Sequence, residues 1–140
     1  MIGAPMNGNE RRSDVTGRAR NTRQLRAIQC ALDGAERPMS IQEIHHAAQA
    51  YEGGLGLATV YRTVNALIEA GHVAAVSLPN DAPRFELSGK GHHHHFQCHQ
   101  CGRVFDTTAC LGDLRRLVPR RFEVTAHELV LYGRCAECRG

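Results

Sequence analysis

Two Cys-x-x-Cys pairs, Cys98 with Cys101 and Cys135 with Cys138, and the run His92-His93-His94-His95 are where this chain concentrates its chemistry. A two-residue gap lets both thiolates of a knuckle reach one ion at about 2.3 Å, and two knuckles close a tetrahedral four-sulfur site. Such a site keeps no open position for a substrate, so structural zinc is the expected occupant. A redox pair would stand between a strand and a helix, a context not expected for the second pair. A nucleobase deaminase would need a His-x-Glu motif, which is absent. In an extended run, alternate side chains face opposite ways. His93 and His95 then share one face, and His92 and His94 the other, so one short stretch can serve two ions. Imidazole suits zinc, nickel, copper or iron. The rival reading of the run is a solvated polyhistidine linker. Glu86, Asp81, His72, Asp113 and His127 are available as partners. Cys110 stands apart from both pairs; a regulatory ligand, a reactive thiol and a buried residue are all open for it.

Something must bring the two pairs together. The 33 residues from 102 to 134 exceed a usual zinc-ribbon gap, so they are expected to fold as strand, helix and strand. Residues 95–98 and 103–107 are the strands flanking the first knuckle. A short helix is expected over 111–118, with Leu111, Leu114, Leu117 and Val118 as its apolar stripe and Pro119 closing it. A long strand is expected over 122–132. Upstream, Leu25, Ile28 and Leu32 recur at helical spacing from Thr22, and Gly34 ends the run. Cys30 reads as a small core residue of that helix. Ser40 with Glu43 forms a capping-box signature for a second helix, on which His45 and His46 are expected near solvent. The third helix begins at Leu57 and stops at Gly71, burying Val60, Val64, Leu67 and Ile68. Its other face carries Thr59, Tyr61, Arg62, Thr63 and Asn65. Residues 73–78 and 84–87 are strands joined by a turn-rich connector. Three helices and a hairpin give the order of a winged helix-turn-helix.

Composition sets the limits. A chain of 140 residues, 42% hydrophobic but 5% aromatic and without Trp, makes one domain or two small ones. Two small domains bury little apolar surface each, which favours stabilisation by a metal or a dimer interface. The net charge of +3 is modest, but Arg11, Arg12, Arg18, Arg20, Arg23 and Arg26 crowd the start, so residues 1–20 are expected to be a disordered basic arm near phosphates. The chain has no run of roughly 18 apolar residues and no apolar leader, so a cytoplasmic protein with reduced thiols is expected. Without a His-Glu-x-x-His motif, nucleophile elbow or phosphate loop, no enzyme and no small-molecule substrate are expected.

In order along the chain, Gly56-Leu-Ala-Thr-Val-Tyr-Arg62 with Asn65, Arg84-Phe-Glu-Leu87, the four histidines, Cys98-x-x-Cys101-Gly, Leu131-Tyr-Gly133 and Cys135-x-x-Cys138 resemble a ferric uptake regulator family protein, most like a zinc uptake regulator. The match runs from about Thr22 to Cys138. The resemblance implies an α+β fold: an N-terminal winged helix-turn-helix domain over 21–87, a hinge at 88–91, and a small C-terminal α/β dimerisation domain over 92–140 with the four-cysteine zinc site. It implies a metal-dependent repressor that binds a near-palindromic double-stranded DNA operator as a homodimer, with zinc as co-repressor. Residues 57–70 match the recognition helix, placing Tyr61 and Arg62 at base- and phosphate-contacting positions beside Thr59, Thr63 and Asn65. By position, Glu86, His93 and His95 would form the regulatory site, and His92, His94, Asp113 and His127 a second site. Two departures matter. Arg37-Pro38-Met39 stands where a further hinge ligand is often supplied, leaving His72, Asp81 or water to fill that place. His94 replaces the usual aspartate of the histidine run. Losing a carboxylate and gaining an imidazole points to zinc ahead of iron or nickel, and away from manganese or peroxide sensing. Outside the family's function, the alternative is a zinc-buffering or protein-interaction module without DNA binding.

Overall fold

The computed structural model describes residues 8–140, with side chains from Gly17 onward. Helix α1 spans Gly8–Gly34, α2 Ile41–Ala48 and α3 Leu57–Glu69. A hairpin follows, β1 Val73–Leu78 and β2 Asp81–Leu87, and then β3 His94–Cys98, β4 Val104–Thr107, β5 Val130–Gly133 and the short α4 Ala136–Arg139. The mixture is α+β. Residues 1–7 of the expected arm lie outside the described residues. Residues 8–20 are helical rather than disordered, because the α1 hydrogen-bond ladder runs unbroken into the apolar segment.

The helical core is built as its periodicity requires. Ala27, Ile28, Ala31 and Leu32 of α1 pack with Ile41, Ile44 and Ala48 of α2 and with Val60, Val64 and Leu67 of α3. Leu25 is instead 37% exposed, since Gln24 lies on the inward face in its place. Cys30 is exposed, a correction to its reading as core. The capping box forms in full: the Glu43 amide donates to Ser40 Oγ at 3.1 Å, and the Ser40 amide donates to Glu43 Oε2 at 2.8 Å. Burial works against ionisation of Glu43, but Arg37 and the Ser40 amide more than offset it and lower its pKa. The α3 helix closes on Gly71, whose φ of 79° suits a residue without a Cβ. The Gly71 and His72 amides donate to Ile68 and Leu67 carbonyls, a Schellman closure. Strand β2 runs three residues longer than expected and also bridges Met39, so the hairpin is welded to the helices by paired backbone bonds between Met39 and Phe85.

Beyond the hairpin, β4-β3-β5 form a second sheet, β3 antiparallel to β4 and parallel to β5. Val76 and Leu78 of the hairpin pack on Val104 and Val130 of this sheet. Arg84 donates to the Gly102 carbonyl at 3.2 Å, and Gln97 donates to Asp81 at 2.7 Å. Two expected elements are shorter. The 111–118 helix is one 3-10 turn, Arg115–Leu117, and the 122–132 strand is only β5. Leu111, Leu117 and Phe122 are 71%, 75% and 65% exposed. An apolar stripe stabilises a helix or strand only against a facing surface, and one chain offers none here.

Candidate metal centres

Register builds the first cluster. The Cys98–Cys101 knuckle turns the chain between β3 and β4, with Gly102 at φ 76° and its amide donating to the Cys98 carbonyl. That turn sets His95 opposite Asp106, while β2 presents Glu86. Glu86, His93, His95 and Asp106 each offer one ligand atom, and the four atoms lie within 4.8 Å of one another. His93 Nε2 lies 2.7 Å from Glu86 Oε1 and 3.7 Å from Asp106 Oδ1; His95 Nε2 lies 3.5 and 3.4 Å from the same two oxygens. Four donors about 2.0–2.1 Å from a tetrahedral ion stand roughly 3.3 Å apart, so the spacing fits a divalent ion. His95 Nε2 and Asp106 Oδ1 are buried without a hydrogen-bond partner among the described residues, as ligand atoms are before metallation.

The outer oxygens are committed elsewhere. Lys90 Nζ donates to Glu86 Oε2 at 3.2 Å and to Asp106 Oδ2 at 2.7 Å. Each carboxylate thus offers one inner oxygen. Burial works against the Asp106 carboxylate, but Lys90 more than offsets it and holds its pKa below the usual range. Burial likewise works against protonated His93; the Gly91 carbonyl and Glu86 outweigh it and raise the imidazole. Asp106 is the residue that sequence reasoning missed. Hairpin pairing across the knuckle was the signal that could have found it. Neither substitute considered for that place takes part: Asp81 is bonded to Gln97, Ala82 and Arg84, and His72 is exposed and outside the cluster.

The four paired cysteines meet as expected. All their sulfurs lie within 4.8 Å of one another, Cys101 and Cys135 at 3.9 Å. Thiolates at about 2.3 Å from a tetrahedral zinc are separated by about 3.8 Å. The Cys101 and Cys135 amides donate to Cys98 Sγ and bring its pKa down to about 5. Cys138 is pushed up to about 12 by its bonding to Cys135, burial adding to the shift. Four thiols this close cannot all ionise unaided; a cation at the centre removes that conflict.

On the other face of β3, His92, His94 and His127 converge with Cys110. Asp113, expected here, is not in the cluster. Its carboxylate takes Arg115 Nε and Nη2 at 2.8–3.0 Å, which holds its pKa at about 2. Burial and the surrounding imidazoles lower the pKa of His94, keeping its lone pair free.

The DNA-reading candidates all lie on α3. Tyr61, Arg62 and Asn65 are exposed, Thr59 and Thr63 half-buried beside them, and Arg62 donates to Thr59 Oγ1 at 3.3 Å. His45 is turned inward, donating from Nε2 to the Leu55 carbonyl at 2.6 Å.

The sequence pattern of the ferric uptake regulator family matches residues 17–132. The chain belongs to that family. It is 36% identical over 90 residues to the ferric uptake regulation protein of Campylobacter upsaliensis, covering 62% of this chain and 58% of that one, so the matched stretch spans less than two thirds of the relative. A structure of a zinc-bound manganese uptake regulator superposes with a TM-score of 0.69 at 26% identity, covering 80% of this chain and 87% of that one. The Vibrio cholerae ferric uptake regulator superposes at 0.61 with 29% identity, covering 82% and 88%. The family is that of the ferric uptake regulators, and the Vibrio cholerae structure is described as having DNA-binding domains. Among the described residues, no helix is long and apolar enough to cross a membrane.

Proposed function

We propose that this regulator is a zinc-responsive repressor that binds a near-palindromic operator as a homodimer. One observation carries the reading: Glu86 belongs to the hairpin of the helical half, whereas His95 and Asp106 belong to the sheet beyond the hinge and His93 immediately precedes β3. A divalent ion would be held by these four donors and would supply positive charge between the two carboxylates. Glu86 would thereby tie the winged-helix domain (21–87) to the dimerisation domain (92–140) across the 88–91 hinge. The α3 helices of two subunits then match successive major grooves, Arg62 meeting guanine or phosphate and Tyr61 a thymine methyl. The exposed Leu111, Leu117, Phe122, Leu131 and Tyr132 supply apolar surface for the second copy. Cys98, Cys101, Cys135 and Cys138 hold structural zinc.

Zinc is favoured at the regulatory cluster because two imidazoles and two carboxylates, each limited to one oxygen by Lys90, make a four-donor site. Asp106 also supports a second reading. It returns the carboxylate whose loss argued against harder ions, which favours an iron-responsive regulator. Titrating labelled operator at fixed free zinc, iron(II) or nickel tests both. The co-repressor is expected to tighten operator binding about 5–150-fold, the range of a roughly 1–3 kcal/mol coupling. Equal affinity with and without every metal would end the proposal.

A further inference from the structure

We infer that Cys110, not a carboxylate, completes the second site, making a closed three-imidazole, one-thiolate centre for a borderline d-block cation such as zinc. Cys110 Sγ lies 3.5 Å from His92 Nε2, 3.4 Å from His94 Nε2 and 3.3 Å from His127 Nε2. His127 Nε2 is 3.2 Å from both other imidazole nitrogens. Around a tetrahedral ion with bonds of about 2.05 Å to nitrogen and 2.3 Å to sulfur, nitrogen pairs stand roughly 3.3 Å and nitrogen–sulfur pairs roughly 3.6 Å apart. Five of the six separations are thus close to those of a filled site. Hydrogen bonding is a poor rival explanation, because a neutral imidazole carries one N–H and cannot satisfy three neighbours at one nitrogen.

The site has a mechanical consequence. Apart from one 3-10 turn, residues 108–129 have no helix or strand, yet they carry Cys110 and His127. His94, 2% exposed, is the fixed point on β3. An ion here fastens this segment to the sheet at two places. The donor set also sorts ions: thiolate and imidazole favour zinc and disfavour manganese and magnesium, which prefer oxygen.

This inference rests on the chain being metal-loaded but not on DNA binding. Cobalt(II) is added to protein already holding one zinc per chain, and near-ultraviolet thiolate-to-cobalt absorption is read together with released zinc. The regulatory cluster has no sulfur and Cys30 lies outside every cluster, so a band without zinc release is expected and reports Cys110. Cys110→Ser should abolish the band and weaken cobalt binding there by at least the roughly 10–100-fold that loss of a supporting group costs; Asp113→Asn should leave both unchanged. Zinc should also slow iodoacetamide labelling of Cys110 in the unaltered protein, a measurement that needs no variant. No band, a band matched by zinc release, a band surviving in Cys110→Ser, or its loss in Asp113→Asn would overturn the assignment. His93→Ala should lose metal-dependent operator binding while keeping the band, which separates failure of this site from failure of the repressor reading.

Discussion

At His93 and Lys90 the chemistry of the regulatory cluster becomes measurable. His93 is raised above its ordinary value of about 6.5, so an incoming ion must displace its proton across and below that raised pKa. Zinc affinity is therefore expected to climb as pH rises from 6 to 8, with up to one proton released per ion, and calorimetry in buffers of different ionisation heat reads that number. Without metal the sign reverses. Protonated His93 against Glu86 stabilises the fold fully below about 6.5, and that contribution is lost as pH rises through the raised pKa. Lys90 sets the denticity of both carboxylates. Lys90→Met frees the outer oxygens and should raise affinity for manganese(II), which takes more oxygen ligands, more than for zinc. Equal changes for both ions in competition titration would remove the orienting role.

Among the elements, the second and third helices follow their sequence signals closely. The α2 capping box joins a local pair, Ser40 and Glu43, that any extended chain already holds three residues apart. Ser40→Ala should cost about 1 kcal/mol, read as a lower denaturant midpoint with an unchanged slope. The α3 stop at Gly71 is local as well. The stretch from 108 to 129 behaves differently. Its apolar residues satisfy a helical or strand period on paper, but Leu111, Leu117 and Phe122 remain exposed in one chain, so the pattern has nothing to bury against. The same stretch explains why Cys110 rather than Asp113 joins the imidazoles: without a helix to fix spacing, the loop's path decides which donor arrives, and Arg115 already occupies Asp113.

Across the whole molecule, the two knuckles and the hinge cluster divide the labour. Cys98 is fully buried, accepts from the Cys101 and Cys135 amides and is the last residue of β3, so Cys98→Ser should collapse the second sheet. Circular dichroism should then lose strand signal while the helices persist, and strong chelators should act alike. Retention of the full sheet signal would mean the four sulfurs are not what holds this half together. The sequence by itself determined the second and third helices, the end of the first, the hairpin, the two cysteine pairs and the splitting of the histidine run onto two faces, because each depends on neighbours within a turn or a strand period. Only the tertiary structure decided that Asp106 sits opposite His95, that Lys90 holds the outer oxygens, and that Cys110 takes the place expected of Asp113. Those choices depend on which distant segments are brought within a few ångströms of one another, and residue spacing along a chain does not encode that closure.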